Sequence, residues 1–205
     1  MANENTIQGA SGETEPVYNI VGAKVALGPG TREENIREFY RAENDFGTAI
    51  LSGDPMRPRE RARYEADYDR YSKESHPDWV SFIIYDRATG TAIGGLGLRH
   101  IDLAKGLAEV GIIITRKDYW GGGYGTEALT LVLDYGFTVL GLHNVLLETY
   151  AYNERALRSY RKVGFKEIGR RRQAQRIGDK RYDTVFMDIL RTEFQSPFPP
   201  VVPLP

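Results

Sequence analysis

Residues 110–129 have the sequence VGIIITRKDYWGGGYGTEAL, and this stretch decides the fold. Its apolar, β-branched start predicts a strand, which passes through the glycine-rich residues 120–125 into a helix. Glycines let backbone N–H groups approach an anion closely, and the N-terminus of the following helix adds about half a positive charge from its dipole. The stretch therefore predicts a cradle for a phosphate or pyrophosphate group.

The glycines alone leave other interpretations open. Residues 123–128 also fit the dinucleotide fingerprint G-x-G-x-x-A, and Glu148 follows about 20 residues later, where that fingerprint has an acid for the ribose. An NAD-binding fold repeats strand–helix–strand units in a parallel sheet, however, and this sequence predicts one such unit among hairpins. A P-loop is disfavoured because G-x-x-x-x-G-K-[ST] is missing. The structural alternative is a tight glycine-rich connection that binds no ligand.

A second motif follows the glycine-rich segment. Residues 153–165, NERALRSYRKVGF, predict a helix that Asn153 caps with its side-chain oxygen. Tyr160 lies two turns further along the same helix. The pattern thus places a capped helix end and a phenol beside the strand–helix–strand crossover.

Together the two motifs resemble those of the GNAT acetyltransferases. The glycine-rich segment is similar to their acetyl-CoA pyrophosphate motif, and residues 153–165 are similar to their N…A…Y-x-K-x-G-F motif. The similarity extends over about residues 17–194, through AEVG (108–111), DYWG (118–121), YGTEA (124–128) and the ending Tyr182-Asp…Met187. It points to the branch with ribosomal-protein N-terminal and spermidine acetyltransferases. The resemblance implies an α/β (α+β) fold, with a mixed, mostly antiparallel sheet of six to seven strands and helices on both faces.

The resemblance also implies how the chain holds acetyl-CoA as its cosubstrate. Strand residues 112–114 would pair with the pantetheine arm, and the amides of the glycine turn would bind the pyrophosphate. Trp120 stands where many members have Gln or Arg, so candidates for the outer phosphate are Arg116, Lys117, Arg158 and Lys162. The implied cofactor-binding residues are Ile112, Ile113, Ile114, Trp120, Gly121, Gly122, Gly123, Tyr124, Gly125, Thr126 and Asn153.

Catalysis in this family usually proceeds by direct attack of the amine on the thioester in a ternary complex. That route suits a chain without cysteine, and it needs an acid for the departing thiolate and a base for the amine. The resemblance makes Tyr160 the candidate acid, with a core-packed aromatic as the alternative. Glu109 is the candidate base, acting directly or through water, or else a structural acid, and Glu148 on the neighbouring strand is the reserve.

The remaining elements follow from periodicity and turn residues. A capping box, Thr31 to Glu34, predicts the start of a helix that runs to about residue 44. A second helix is predicted after Pro58. It carries a stripe of Tyr64, Tyr68 and Tyr71, and such a stripe is more typical of core packing than of a substrate cleft. Strands are predicted at 17–27, 79–87, 91–101, 108–115 and 144–150, helices at 126–137 and 153–163, and a last hairpin at 165–172 and 181–190 that turns near residues 178–179.

Composition narrows the class of protein. The 205 residues predict a single domain at 17–194, with a polar tail at 1–16 and a proline-rich tail at 195–205. Lys plus Arg (27) balances Asp plus Glu (28), no apolar run approaches a membrane span, and His76, His100 and His143 lack metal-ligand spacing. We therefore expect no nucleic-acid, membrane or metal partner, and a cytoplasmic location.

The acceptor is the least determined feature. A protein α-amino terminus, a polyamine and an amine-bearing antibiotic or sugar all fit the chemistry. A local acidic cluster at Glu60, Glu65, Asp67 and Asp69 would suit a polyamine, while the basic last hairpin has no assigned role. The branch resembled here is often homodimeric, and a catalytically silent acetyl-CoA sensor remains an alternative to the enzyme.

Overall fold

The computed structural model describes residues 16–53, 56–74, 76–199 and 201. Its elements are β1 Ile20–Val21, β2 Val25–Gly28, α1 Arg32–Asn44, α2 Phe46–Ser52, α3 Arg61–Tyr71, β3 Val80–Asp86, β4 Thr91–Asp102, β5 Leu107–Ile114, α4 Tyr124–Thr138, β6 Asn144–Tyr150, α5 Glu154–Val163, β7 Lys166–Ile177 and β8 Lys180–Leu190. A single 3₁₀ turn, Lys117–Tyr119, lies between β5 and α4.

The strands form one mixed sheet in the order β1-β2-β3-β4-β5-β6-β8-β7. Among the described residues β5 and β6 make a parallel pair, and the other neighbours are antiparallel. The mostly antiparallel sheet expected from the sequence is confirmed, but its described part has eight strands rather than six or seven. The strand predicted at 17–27 is wrong in its extent, because the chain reverses between β1 and β2, where the Gly22 N–H donates to the Val25 carbonyl at 2.8 Å.

Helices pack on both faces of the sheet, as expected. Successive residues of a strand point to opposite faces, and β3 shows this plainly. Ile83 and Tyr85 pack with Phe39 of α1 on one face, while Ile84 belongs to the larger core on the other. That larger core is covered by α4, whose residues are mostly buried. The sheet is therefore the middle layer between α1 and α4.

Local signals explain most helix boundaries. Both hydrogen bonds of the predicted capping box form, since the Glu34 N–H donates to Thr31 Oγ1 at 3.2 Å and the Thr31 N–H donates to Glu34 Oε2 at 2.7 Å. Helix α2 was not predicted, because seven residues carry too little periodicity. The signals that mark it are its caps: Asp45 accepts from the Gly47 N–H at 2.9 Å, and Gly53 ends the helix with a φ of 77°.

More of the C-terminal segment than of the N-terminal segment belongs to the described residues. The tail predicted at 1–16 lies outside the described residues except for Pro16, as do residues 200 and 202–205. Phe194, Phe198 and Val201 pack against the larger core, and the Val201 N–H donates to Asp134 Oδ2 on α4 at 2.9 Å. Through Val201, the end of the chain therefore reaches α4. The last hairpin turns at residues 178–179 as predicted, but β7 runs on to Ile177 instead of ending near residue 172.

Candidate active site

Strands β5 and β6 diverge after a short parallel stretch. They pair only where residues 107–109 lie beside residues 144–146. Beyond Glu109, β5 continues to pair with β4 through Ile114, whereas β6 pairs with β8. In the described part of the chain, no strand pairs with the other edge of Val110–Ile114. That edge can bind an extended chain of amides as an added strand does.

A cleft of about 1480 Å³ follows this open edge. The wall towards α4 and α5 includes Trp120, Thr126, Asn153, Arg155 and Tyr160, and the wall towards α1, α3 and β4 includes Phe39, Tyr64, Tyr71, Trp79 and Arg99. A pocket for one small ligand is roughly 300–1,000 Å³. The larger volume suits two substrates bound together.

The glycine turn shapes one end of the cleft. Gly121 and Gly123 have φ values of 79° and 89°, in the left-handed region that favours glycine. A Cβ atom at Gly121 would meet no described protein atom within 4 Å. Helix α4 starts at Tyr124, two residues before its predicted start, and no described side chain caps it. The free N–H groups of its first turn and its dipole form an anion site that fits a pyrophosphate.

Two side chains hold this turn in place. Trp120 donates a hydrogen bond from Nε1 to the Ile114 carbonyl at 2.9 Å, which ties the turn to the end of β5. Lys24, from the turn between β1 and β2, donates from Nζ to the Gly122 carbonyl at 2.8 Å. Lys24 was not predicted as a site residue, because it is 98 residues away in sequence and belongs to no motif.

Asn153 caps α5 as predicted and also reaches α2. Its Oδ1 accepts from the Ala156 N–H at 3.3 Å, and its Nδ2 donates to the Leu51 carbonyl at 3.3 Å. The side chain is buried and borders the cleft. A hydrogen bond of 2.8 Å between Thr126 Oγ1 and Ser159 Oγ joins α4 to α5. The two motifs recognised in the sequence are therefore in contact.

Tyr160 lies at the base of the α5 wall. It is 9% exposed, and its ring packs edge-on against Phe165 with centroids 6.1 Å apart. Burial raises the pKa of Tyr160 to about 12, against the opposing effect of the nearby Arg155 charge. The phenol therefore keeps its proton at neutral pH, as a general acid must.

The two candidate bases differ in their surroundings. Glu109 forms an ion pair with Arg99 and lies 3.3 Å from Nδ1 of His100. It is outside the described lining of the cleft, although Arg99 is part of that lining. Glu148 on β6 is exposed and lines the cleft together with Tyr160. The structure thus brings the reserve carboxylate, not Glu109, into the same cavity as the phenol.

The four cations suggested for the outer phosphate fall into two groups. Arg116 is bound to the buried Glu38 at 3.2 Å, and Lys117 is paired with Asp45. Neither belongs to the described cleft lining. Arg158 and Lys162 do line the cleft, from α5. Only this second pair is placed to meet a ligand there.

The cleft wall towards α1, α3 and β4 is rich in aromatic residues. All three tyrosines of the α3 stripe line it, although Tyr64 is also buried, so the stripe serves the cleft as well as the core. Beside it, Tyr71 stacks on His76 with ring centroids 4.2 Å apart, and Trp79 meets both edge-on. The acidic cluster is largely neutralised: Asp69 pairs with Arg32, Glu65 with Arg61 and Asp67 with Arg59.

Two further findings concern the described residues alone. None of their helices has the length and apolar character needed to cross a bilayer. They also contain no group of three or more His, Cys, Asp or Glu side chains arranged to hold a metal ion.

Known proteins resemble parts of the chain. A segment of 101 residues is 37% identical to the spermidine N(1)-acetyltransferase of Escherichia coli K12, covering 49% of this chain and 53% of that protein. The chain thus spans about half the length of this relative. A segment of 138 residues is 26% identical to the putative ribosomal N-acetyltransferase YdaF of Bacillus subtilis, covering 62% of this chain and 73% of that protein.

A solved structure shows the same fold. The spermidine N-acetyltransferase from Vibrio cholerae, in complex with CoA and spermine, superposes with a TM-score of 0.72 and 24% identity, over 83% of this chain and 97% of the other. The sequence profile of the acetyltransferase (GNAT) domain matches residues 30–166, well over half of the 205 residues, and includes β5, the glycine turn and α5. With its diverging strands and glycine turn, the chain belongs to the GNAT acetyltransferase family.

Proposed function

We propose that the chain is an N-acetyltransferase that moves the acetyl group of acetyl-CoA to a primary amine, by direct attack in a ternary complex. The observation that carries the proposal is the divergence of β5 from β6 directly before the uncapped start of α4. An extended amide arm fits the open edge of β5, and a pyrophosphate fits the N-terminus of α4.

The cofactor-binding roles follow this geometry. The open edge of β5 at Ile112–Ile114 is the proposed place for the arm, and the turn from Gly121 to Thr126 offers its amides to the phosphates. Trp120 fixes the turn to β5. Asn153 holds the start of α5 against α2 and borders the same cleft. The chain's own backbone thus supplies most of the polar contacts.

Tyr160 is the proposed general acid, which gives its proton to the thiolate as the amine displaces it. Its buried, protonated phenol supports that role. Glu148 is the proposed base, because it shares the cleft with Tyr160, and Glu109 is the competing candidate. Removing a proton from the attacking amine makes its lone pair available, which general-base catalysis accelerates by about 10²–10⁴-fold.

The proposed acceptor is a polyamine or the α-amine of a protein. The E. coli relative bears the name of a spermidine acetyltransferase, and the B. subtilis relative that of a putative ribosomal one. Aromatic rings at Tyr71 and Trp79 and carboxylates at Glu74 and Glu148 line the cleft. Such a surface attracts cationic amines through ring faces and charge.

The competing hypotheses make different demands. An NAD-binding oxidoreductase needs a parallel sheet, whereas the described sheet has one parallel pair among antiparallel ones. An acetyl-CoA sensor needs the cleft but no acid or base. The presence of Tyr160 and Glu148 in the cleft supports the enzyme over the sensor.

The test combines binding with turnover. Free thiol released from acetyl-CoA is followed against spermidine, spermine, peptides with free α-amines and an aminoglycoside, and melting temperatures are measured with CoA and with NAD. We expect stabilisation by CoA alone and turnover with at least one amine. Stabilisation by CoA without turnover would favour the sensor, and stabilisation by NAD alone would overturn the proposal.

A further inference from the structure

Arg155, the second residue of α5, contacts Trp120 at the start of the glycine turn. Its guanidinium carbon lies 3.3 Å from the centroid of the Trp120 ring. Trp120 directly precedes the glycine turn and is anchored to the Ile114 carbonyl. The contact between the guanidinium and the indole therefore joins α5 to the glycine turn beside the end of β5.

The guanidinium of Arg155 has no anionic partner among the described residues. Other arginines that line the cleft do have one: Arg59 pairs with Glu43 at 2.8 Å, Arg158 with Glu154 at 3.3 Å, and Arg99 with Glu109. Arg155 is also partly buried, and burial lowers its pKa. A partly desolvated cation without a counter-charge is costly, and a bound anion would remove that cost.

The position of Arg155 indicates which part of a ligand it meets. Trp120 immediately precedes Gly121, so the stacked guanidinium stands beside the turn that opens α4. The central carbon of the guanidinium lies over the indole ring, and its N–H groups have no carboxylate partner among the described residues, so they are available to a ligand. A planar guanidinium that is held by stacking can give two parallel hydrogen bonds to phosphate oxygens, which an ammonium group cannot do.

We infer that Arg155 binds the pyrophosphate of acetyl-CoA, with Trp120 as the platform that orients its guanidinium. The inference rests on the proposed function. It assigns positive charge at the phosphate site to a side chain of α5, and it gives the indole at position 120 a role in holding that charge.

The test compares three acetyl donors in Arg155→Met and Arg155→Lys variants. Acetyl-CoA has the pyrophosphate and the 3′-phosphate, acetyl-dephospho-CoA has the pyrophosphate alone, and S-acetylpantetheine has neither. In Arg155→Met we expect the KM to rise about 10- to 100-fold for the first two donors and to stay unchanged for the third. Arg155→Lys should give an intermediate rise. Arg161→Met, on the same helix and outside the described cleft lining, is the matched control and should change none of the three.

Each alternative outcome has a distinct meaning. An equal loss with all three donors would overturn the inference, because the residue would then act on the reacting centre or on stability. A loss with acetyl-CoA alone would assign Arg155 to the 3′-phosphate instead. If S-acetylpantetheine is too poor a donor, the affinity for CoA is measured instead. The inference then requires that CoA binds more weakly to Arg155→Met and that this binding depends less on salt. Failure of the proposed function is separate: the unaltered protein would then turn over none of the donors.

Discussion

The ammonium group of Lys24 is hydrogen-bonded to the carbonyl oxygen of Gly122 at a distance of 2.8 Å. Next to it, the backbone N–H groups of Lys24 and Val25 donate to Oε1 of Glu127, in the first turn of α4, at 2.7 and 3.1 Å. The hairpin of β1 and β2 is thus hydrogen-bonded to the glycine turn and to the first turn of α4. By holding the Gly122 carbonyl, Lys24 helps to keep the neighbouring N–H groups turned towards the cleft.

Replacing this ammonium group should weaken acetyl-CoA binding without slowing the chemical step. In Lys24→Met we expect the KM for acetyl-CoA to rise about 3- to 10-fold, the effect of one exposed hydrogen bond, with kcat at saturation within about twofold. Initial rates at varied acetyl-CoA measure both. Lys105→Met, which removes an exposed lysine paired with Asp102, is the control. An unchanged KM in Lys24→Met would mean that the turn holds its shape without this contact.

Replacing each candidate base by glutamine, which has the same shape but cannot accept the proton, distinguishes the two. Glu148→Gln should lower kcat about 100-fold or more at neutral pH, whereas Glu109→Gln should lower it less than about 10-fold, because Glu109 is occupied by Arg99. The deficit in Glu148→Gln should shrink as the pH rises, since a deprotonated amine needs no base. The pH dependence of kcat in both variants measures this, and a larger loss in Glu109→Gln would assign the base to Glu109.

The end of the chain should contribute to stability. Phe198 packs against the larger core, and Val201 donates to Asp134 on α4. Phe198→Ala should lower the free energy of unfolding by about 1–2 kcal/mol, as expected for a partly buried aromatic ring. Urea unfolding measures the change, with the exposed Pro199→Ala as control. Equal stability of the two variants would show that the segment does not dock in solution.

Burial of Tyr160 should make stability fall at alkaline pH. Its pKa in the fold is about 12, above the ordinary 10.0, so the folded protein retains a proton that the unfolded chain loses. This contribution is complete below about pH 10 and disappears as the pH rises towards about 12. Burial also raises the pKa values of Tyr64 and Tyr85. Tyr160→Phe should therefore keep a fall between pH 9 and 11 in urea unfolding, but a shallower one, and an identical slope would mean that Tyr160 is not desolvated.

The parts of the site that were predictable lie within contiguous motifs. The glycine turn and the cap and phenol of α5 are set by local chemistry, so one strand–helix–strand crossover suffices to bring them together. The capping box at Thr31 was predictable for the same reason.

Other parts depend on contacts between distant segments. Lys24 contacts the turn from 98 residues away in sequence and belongs to no motif. Arg155 lies within the second motif, but the pattern of that motif does not show that its side chain contacts Trp120. The choice between Glu109 and Glu148 requires the register of β4 and β5, which places Arg99 opposite Glu109. Helix α2 and the reversal between β1 and β2 are too short for periodicity to reveal them.

The most direct test of acetyl transfer through Tyr160 is a single-turnover experiment that follows both products, the acetylated amine by mass spectrometry and the free CoA thiol. With excess protein over acetyl-CoA and an accepted amine, the two products should appear together and in equal amounts. Tyr160→Phe should slow both about 100-fold while CoA binding is unchanged. Thiol release without acetylated amine, or a Tyr160→Phe rate equal to that of the unaltered protein, would contradict the proposed mechanism.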